Sequence, residues 1–557
     1  MSNKIHNRSV RWSAVVLSLF MLLLAACSNN SAPTGSVSPS PSGSASSGSP
    51  TPAERKPFTY ILQQPVKSID PAKAVDETEL LTVINTYDPL FYPDVDNNKM
   101  DPVPHVAESY TVSDDGKVYT IKIKEGIRFH SGNELKAADV AYSIKRSLAL
   151  GQGNSWLWSS VLDADGVTAP DERTVVFSLK TPYAPFISSL TQLFVLDSAE
   201  LVKHYAEGQY GEDQDYGEAY LSENTVGSGP YRIVSWDQQS EMKLASHPEY
   251  WRGWKDDQIK DITLKVVTEE STVKTLMVSG EAQMIHKVLT INAYQELATH
   301  DSIAVDSLPS AKLMYFPMNT QKAPTDDGKI REAISLAFDY DTALHAILGG
   351  ATAAAGPVPL IVTGHDESIQ PLSRNLERAK ELVGESQYKG SELNVTFMYI
   401  ADNVTQRQLA QLVQSNLKEI GITVELKPVT WTQITAASAK ASTTENLTAI
   451  TTSLSYPHQD AFLNGLYHPA SHGNYNSMSW LDDAEITDLL ERARTAPTQE
   501  EQAELYAQAQ RQIATLYPAV YISNPNNTIA YSKQVTGYRY VGLMGYDLAF
   551  YNLRYAA

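Results

Sequence analysis

The sequence predicts a mixed α/β protein with more than one lobe. About 500 residues follow a short leader and tether, which is more than a single hydrophobic core usually organises. Asn394 to Ile400 is apolar, Thr405 to Ile420 places its apolar residues on one helical face, and Ile422 to Lys427 alternates apolar and polar residues. A strand, a helix and a strand in this order predict a crossover unit.

The N-terminus has the layout of a secretory signal. A basic segment carries Lys4, Arg8 and Arg11. The uncharged stretch that follows, Ala14 to Ala26, is shorter than the about 20 residues that a spanning helix needs. The run Leu24-Ala25-Ala26-Cys27 resembles the lipobox of bacterial lipoproteins, which implies removal of residues 1–26 and lipidation of Cys27. We therefore expect an extracytoplasmic protein anchored by Cys27 to the cell membrane, on the outer face of the cytoplasmic membrane or in the periplasm.

A tether is predicted directly after the anchor. Ser28 to Pro52 consists mainly of Ser, Pro, Gly, Ala and Thr, a composition that is typical of disordered segments, so residues 27–56 are assigned to the lipidated cysteine and its tether. Loss of the three basic leader residues would change the net charge from −20 to −23. This charge argues against nucleic-acid binding. Because Cys27 is the only cysteine, the sequence excludes an internal disulfide and a cysteine-based metal site.

Local patterns predict further elements along the chain. Val118 to Lys124 reads as a strand that pairs with Glu108 to Ser113 across the turn Asp114-Asp115-Gly116. Apolar residues at every fourth position predict a helix, through Val140, Ile144 and Leu148.

Two more helices are predicted in the second half. Ile262 to Val266 alternates as a strand and precedes a helix from about Ser271 to Ser279, with Gly280 after it. A further helix is predicted because Ile330, Ile334, Ala337 and Phe338 fall on one face. Asp326 or Asp327 would cap its start, and Gly349-Gly350 would end it.

Several motifs closely resemble the bacterial extracellular solute-binding proteins, family 5. The most specific are Thr225-Val226-Gly227-Ser228-Gly229-Pro230-Tyr231 with Trp236, and His247-Pro248-Glu249-Tyr250-Trp251-Arg252-Gly253. Others are Ser68 to Pro71, Tyr87 to Tyr92, Pro104 to Ser109 with Ser113 to Gly116, and Lys329 to Ile334 with Ala337 to Asp339. We expect these residues to build the fold, with Gly229-Pro230 starting a strand.

The resemblance implies the periplasmic-binding-protein fold of type II, in its large α/β form. Two lobes would be joined by a hinge. Lobe I would comprise residues 57–87, 226–308 and 519–557, with an inserted subdomain at 88–225, and lobe II would comprise 309–518. The crossing segments would lie near Ser310 to Asn319 and Tyr517 to Pro525.

The resemblance also implies a role in transport. The protein would be the solute-binding component of an ABC importer, and would capture dipeptides or oligopeptides by lobe closure and deliver them to a membrane permease. It would act as a monomer without a cofactor. The same role for an oligosaccharide or a nickel complex, and a role as a peptide-signal receptor, remain open. The chain has no Gly-x-Ser-x-Gly, no His-Glu-x-x-His and no phosphate loop, which argues against an enzyme.

The candidate binding residues centre on the stretch from Ser453 to Phe462. In peptide-binding relatives the matching stretch resembles Asp-Tyr-Pro-Asp-Pro, and its first Asp holds the peptide ammonium; here that position is Ser455. A buried ammonium without a counter-charge costs several kcal/mol. The charge would then come from Asp460, from Asp402, or from Asp76, Glu77 or Glu79, unless the ligand lacks an ammonium.

The other predicted ligand-binding residues are aromatic or polar. Trp431 and Tyr456 are expected as flat walls that contact backbone or sugar faces. The remaining candidates are His458, Asn474 and Tyr399. His458, His468 and His472 also raise the question of a metal, but Pro469 and Gly473 predict a loop there, and no metal site is expected.

Overall fold

The computed structural model describes residues 58–556, apart from 98–99, 286–288, 497 and 544. The chain divides into two units, and the described residues all belong to the second, Lys56–Ala557. The predicted signal peptide, Cys27 and the tether lie outside the described residues. In the described part of the chain, no helix is both long enough and apolar enough to cross a membrane.

The described strands are numbered in chain order. They are β1 (Phe58–Leu62), β2 (Phe91–Pro93), β3 (Pro102–Pro104), β4 (Ala107–Val112), β5 (Val118–Ile123), β6 (Val167–Thr168), β7 (Thr174–Ser178), β8 (Tyr231–Asp237), β9 (Glu241–Ser246), β10 (Asp261–Val266), β11 (Met284–Ile285), β12 (Ile303–Leu308), β13 (Leu313–Pro317), β14 (Thr352–Ala353), β15 (Leu393–Ile400), β16 (Ile422–Val429), β17 (Leu447–Thr448), β18 (Ile450–Thr452), β19 (Ala519–Asn524), β20 (Asn527–Ser532), β21 (Val535–Thr536) and β22 (Arg554–Tyr555).

The described α-helices are numbered in the same way. They are α1 (Glu77–Thr86), α2 (Ala137–Leu150), α3 (Trp156–Ser159), α4 (Phe186–Ser189), α5 (Ser198–Leu201), α6 (Glu218–Leu221), α7 (Glu270–Ser279), α8 (Ile291–Ala298), α9 (Gly328–Ala337), α10 (Leu376–Glu385), α11 (Val404–Lys418), α12 (Trp431–Ala437), α13 (Asp460–Tyr467), α14 (Ala484–Thr495) and α15 (Gln499–Leu516).

The largest sheet takes its strands from distant parts of the chain. Its order is β12-β20-β11-β1-β10-β9-β8, so β1 lies in the middle, parallel to β10 and β11, and β20 pairs antiparallel with β12. The predicted lobe I requires this kind of pairing between the two ends of the chain. The lobe boundaries themselves remain a prediction.

The other described strands form three larger sheets and the two-stranded pairs β2-β3 and β21-β22. A four-stranded sheet has the order β14-β19-β13-β18, a three-stranded parallel sheet has the order β16-β15-β17, and β4-β5-β7-β6 form an antiparallel sheet. The chain passes from the largest sheet to the four-stranded one between β12 and β13, and returns between β19 and β20. The two passages contact each other, because the Ser310 hydroxyl donates to the carbonyl of Pro525.

Most predicted elements are confirmed within a few residues. β15, α11 and β16 form the predicted crossover, with Val395 opposite Val424 in a parallel register. β4 and β5 form the predicted hairpin, and Gly116 in its turn has φ 68°. The predicted helix over Ser271 to Ser279 is α7, and it ends at Gly280 with φ 69°.

One predicted helix end is wrong. The helix that begins after Asp327 ends at Ala337, not at Gly349-Gly350. The Asp339 amide donates to Oδ1 of Asn416 at 2.9 Å, and the Asp339 carboxylate accepts from the amide of Thr342 at 3.0 Å, where a separate turn of π-helix begins. The side chains at the break therefore start a second element, and only this second element runs up to the glycine pair.

Residues from several family motifs meet at the buried carboxylate of Asp88. It accepts hydrogen bonds from His105 Nε2 at 2.8 Å, Ser228 Oγ at 2.9 Å, Tyr250 OH at 3.0 Å and Trp251 Nε1 at 3.1 Å. Burial alone would raise the pKa of Asp88, but these donors, His105 first, lower it below its ordinary value. These contacts agree with the scaffold role predicted for the motifs.

The glycines of the Thr225-to-Tyr231 motif allow a close backbone contact. A Cβ at Gly227 would lie 2.0 Å from the carbonyl oxygen of Thr86, and one at Gly229 would lie 2.5 Å from its carbonyl carbon. Only glycine permits this approach. β8 begins directly after Pro230, as predicted.

Candidate functional site

A cavity of about 380 Å³ lies between two sets of residues that are distant in sequence. We call residues 73–76 and 151–156 the first wall, and residues 431–438 and 470–475 the second wall. The lining residues are Lys73, Val75, Gly151, Gln152, Gly153, Ser155 and Trp156 on the first wall, and Thr435, Ser438, Ala470, Ser471, His472, Gly473, Asn474 and Tyr475 on the second. The volume falls at the lower end of the range of small-molecule pockets, about 300–1,000 Å³.

A buried ion pair positions both segments of the first wall. Arg146 donates to the Asp70 carboxylate through Nη1 at 2.7 Å and Nη2 at 2.6 Å, and both side chains are buried. The Asp70 carbonyl accepts from the amides of Lys73 and Ala74, which shapes the turn that carries Lys73. Because Arg146 lies on α2 and α2 ends at Gly151, the same pair also fixes the start of the second segment.

The two segments of the first wall touch through Gly153. Its φ is 55°, and a Cβ there would lie 2.4 Å from the carbonyl oxygen of Ala72. Gly151, at the end of α2, also has positive φ, 62°, but a Cβ there would meet no atom within 4 Å. A side chain at Gly153 would push the segments apart.

The second wall is built from one helix and one loop. α12 begins with a capping box, in which Thr430 accepts from the amide of Gln433 and the Gln433 side chain accepts from the amide of Thr430. It places Trp431 and Thr435 one helical turn apart. In the loop, the Asn474 side chain accepts from the amide of Asn476 at 3.1 Å and so orders the turn that carries Tyr475.

The two walls are joined by direct hydrogen bonds. Trp431 Nε1 donates to Asp76 Oδ2 at 2.9 Å, and Tyr475 OH donates to the carbonyl of Val75 at 3.2 Å. The rings of Trp431 and Tyr475 meet edge to face with centroids 4.8 Å apart. Lys67 Nζ lies 5.6 Å from the centre of the Trp431 ring. These contacts hold together the elements on the two sides of the cavity.

The acidic residues beside this junction accept hydrogen bonds from groups within the protein. Asp76 caps α1 by accepting from the amides of Thr78 and Glu79, and Glu79 accepts in return from the amides of Val75 and Asp76. Burial, and then the charge of Asp76, raise the pKa of Glu79 to about 8, so Glu79 holds a proton at neutral pH. Burial lowers the pKa of Lys67, and the two acids partly oppose this.

The predicted binding residues do not all lie at the cavity. Asn474 lines it, and Trp431 lies at the junction beside it. Ser455 is half-buried, and its carbonyl accepts from Gln192 Nε2 at 2.5 Å. Tyr399 is buried in the core around β15. Their ligand roles stay predictions.

The contacts of Asp460 argue against a role in ligand binding. It is fully buried, and its carboxylate accepts from Arg494 Nη2 at 2.9 Å, from Tyr506 OH at 2.5 Å, and from Tyr456 and Asn464. Burial alone would raise its pKa, but the charge of Arg494 and these hydrogen bonds lower the pKa to about 2. Asp460 and Tyr456 thus form part of the core.

The histidines of this region are also engaged. His458 Nδ1 accepts from the amide of Asp460 at 3.1 Å, and burial lowers the pKa of His458. His472 lines the cavity, its Nε2 lies 3.1 Å from the carbonyl of Leu481, and burial lowers its pKa as well. Over the described residues, no group of three or more His, Cys, Asp or Glu side chains could hold a metal ion.

Sequence reasoning missed several lining residues, including Lys73, Trp156 and Thr435. Lys73 follows the Ser68-to-Pro71 motif by two positions, and Thr435 lies one helical turn after the predicted Trp431. These two signals were available in the sequence. Nothing local in the sequence places Trp156 opposite residues of the second wall.

The comparisons with known proteins now identify the family. The model of the bacterial extracellular solute-binding proteins, family 5 Middle, matches residues 101–474. The chain belongs to this family. A probable D,D-dipeptide-binding periplasmic protein of Escherichia coli is 27% identical over 477 residues, which span 85% of this chain and 89% of the relative. A glutathione-binding protein of Pectobacterium atrosepticum is also 27% identical over 477 residues, with the same shares of 85% and 89%.

Solved structures confirm the fold of this solute-binding protein. An ABC transporter-associated periplasmic binding protein of Helicobacter pylori, in complex with the peptide STSA, has a TM-score of 0.80 at 22% identity and covers 89% of this chain and 98% of its own. The predicted two-lobed α/β fold is therefore correct. The family consists of solute-binding proteins rather than enzymes.

Proposed function

We propose that this protein is the receptor of an ABC importer, which captures short peptides by closure of two lobes and delivers them to a membrane permease. The cavity enclosed between the first and second walls carries this proposal. Its walls are joined by the bond from Trp431 to Asp76 and the bond from Tyr475 to Val75. A solute in the cavity would contact both walls at once only while they are together.

Closure of the lobes would then follow from a difference between the ligand's affinities for the closed and the open state. A ligand that contacts both walls binds the closed state more tightly than the open state, and it shifts the population by that difference alone. The bonds between the walls add to closure in the absence of ligand. The ligand and these bonds would therefore stabilise the same state.

The relatives support a peptide as the ligand. Two are named for a D,D-dipeptide and for glutathione, and the Helicobacter pylori protein was solved with the peptide STSA. A cavity of about 380 Å³ suits a short peptide better than a long one. Trp156 on the first wall and Tyr475 on the second offer flat apolar surfaces to a peptide backbone.

We further propose that Cys27 anchors the protein to the outer face of the membrane. Two acyl chains hold a protein stably where one does not. A tether of about 25 residues would reach about 25–30 Å on average, which keeps the lobes near the permease. In this arrangement the receptor acts as a monomer, and residues 57–87, 226–308 and 519–557 form lobe I with its insertion at 88–225, while 309–518 form lobe II.

Calorimetry and small-angle scattering test the proposal together. The full chain, titrated with a set of dipeptides and tripeptides, should bind some of them saturably and release no cleaved product. Bound peptide should reduce the radius of gyration. Trp431→Phe should weaken binding, whereas the control Trp236→Phe, on β8 of the largest sheet and away from both walls, should not. Turnover of the peptides, or binding without compaction, would contradict the proposal.

A further inference from the structure

The cavity offers no negative charge to a ligand. Among the described residues that line it, none is an aspartate or a glutamate. Lys73 supplies the one fixed charge of this lining, and its Nζ lies 2.7 Å from Oε1 of Glu218, with both side chains partly exposed. The other lining side chains with polar atoms carry hydroxyl, amide, imidazole or indole groups; they are Gln152, Ser155, Trp156, Thr435, Ser438, Ser471, His472, Asn474 and Tyr475.

Three of the carboxylates that were candidates for holding an ammonium are engaged within the protein. Asp76 accepts two amides of α1 and the indole N–H of Trp431. Glu79 is buried behind it and accepts two backbone amides. Asp460 pairs with Arg494 in the core. Ser455 lies at the position where the matching stretch of peptide-binding relatives resembles Asp-Tyr-Pro-Asp-Pro and begins with an aspartate. Its hydroxyl carries no charge.

We propose that the solute bound in this cavity carries no free ammonium and is a short, N-blocked peptide or a similar amide-bearing carboxylate, with its carboxylate beside Lys73. This inference rests on the proposed function and narrows its ligand class. The peptide proposal does not specify whether the amino end and the carboxyl end of the ligand are charged, and this inference does.

Desolvation explains the selection against an ammonium. A buried ammonium with only neutral acceptors loses most of its hydration without a compensating charge. An acylated nitrogen is an ordinary amide, and the hydroxyl and amide groups of the lining can satisfy it. A Lys ammonium has three donors, so Lys73 can bond Glu218 and still donate to a ligand carboxylate.

Three matched ligands test the inference by calorimetry on the full chain. They are alanyl-alanine, N-acetyl-alanyl-alanine and N-acetyl-alanyl-alanine amide. We expect the acetylated acid to bind at least tenfold more tightly than the free dipeptide, and the amide to bind about tenfold more weakly than the acetylated acid. Equal or tighter binding of the free dipeptide would overturn this inference alone. If none of the three binds although other free dipeptides or tripeptides do, this inference alone fails. If no peptide of either set binds, the peptide proposal fails with it.

Two variants test the position of the carboxylate. Lys73→Met should weaken binding of the acetylated acid about tenfold and leave binding of its amide unchanged. Glu218→Gln removes the partner of Lys73 but keeps the ammonium, and it should bind the acid as tightly as the parent or more tightly. The double variant, which leaves no lone carboxylate at this point, should behave like Lys73→Met. Unchanged affinity for the acid in both Lys73 variants would overturn the assignment.

Discussion

Replacing Asp460 by asparagine is expected to destabilise the protein without a specific effect on its ligand. The carboxylate bonds Arg494, Tyr456, Tyr506 and Asn464, and all of these contacts lie in the core. Asparagine nearly preserves the volume but leaves the guanidinium of Arg494 without its counter-charge. The change in the free energy of unfolding therefore reports mainly the loss of the negative charge beside Arg494.

The magnitude follows from the shifted pKa and from the buried charge. The pKa of Asp460 falls from 3.8 to about 2, and at 1.36 kcal/mol per unit this corresponds to about 2 kcal/mol at neutral pH. Removal of one partner of a buried pair costs about 3–5 kcal/mol in general. Because the variant also weakens the acceptor of two tyrosine hydroxyls, we expect a loss of about 3 kcal/mol.

The sign of the pH dependence is fixed by the direction of the shift. A lowered pKa in the folded state gives stability that is present above the unfolded value, near pH 4, and that is lost as the pH falls toward about 2. At pH 3 the difference between parent and Asp460→Asn should therefore be about 1 kcal/mol smaller than at pH 7.

Urea unfolding followed by tryptophan fluorescence at pH 7 and pH 3 measures both effects. Asp488→Asn is the matched control, since Asp488 lies exposed on α14 and pairs with the exposed Arg492 at 3.2 Å, so its loss should cost less than about 0.5 kcal/mol. The folded Asp460→Asn protein should keep the parent's ratio of affinities for free and acetylated dipeptides. Parent-like stability at pH 7, or a selective loss of affinity for the free dipeptide, would refute the structural role.

Three further predictions concern the two walls. Trp431→Phe removes the donor to Asp76 but retains an aromatic ring, so peptide affinity measured by calorimetry should fall about 5- to 30-fold, for a loss of about 1–2 kcal/mol in the closed state. Gly153→Ala should lower the unfolding temperature more than Gly151→Ala, because both have positive φ but only Gly153 would place its Cβ 2.4 Å from a carbonyl oxygen. The raised pKa of Glu79 predicts that the free energy of unfolding of the parent falls as the pH rises from about 5 to about 8. In Glu79→Gln, which has no carboxyl at this position, urea unfolding should show a smaller fall over the same pH range.

The elements that could be predicted from the sequence are those with a complete local pattern. β15, α11 and β16 each bury one face, so their apolar residues recur at the period of the element. The end of α9 could not be predicted in the same way. It depends on Asn416, which lies on α11 and bonds the amide of Asp339 across a distance of 77 residues in sequence.

The candidate site depends even more on contacts between residues that are distant in sequence, which local patterns do not predict. The Ser453-to-Phe462 stretch contains several of the predicted binding residues, but its local pattern does not tell which way Asp460 points. Its partner Arg494 lies 34 residues further on. The bond between Trp431 and Asp76 spans 355 residues. Both residues were named as candidates from the sequence, yet only the folded chain shows that they bond each other rather than remaining open to a ligand.

Contacts outside the cavity therefore determine which charged groups of the protein a ligand would meet. A net charge of −20 argues against nucleic acid, but it does not predict that the receptor selects cations. Glu79 holds a proton at neutral pH because burial raises its pKa to about 8, and the Asp76 side chain accepts from the indole N–H of Trp431. Among the described lining residues, the solute then meets Lys73, which pairs with Glu218 outside the lining, and neutral donors and acceptors. A receptor of this kind selects by hydrogen-bond geometry and by the cost of desolvating charge, and Ser455 is then consistent with the rest of the site.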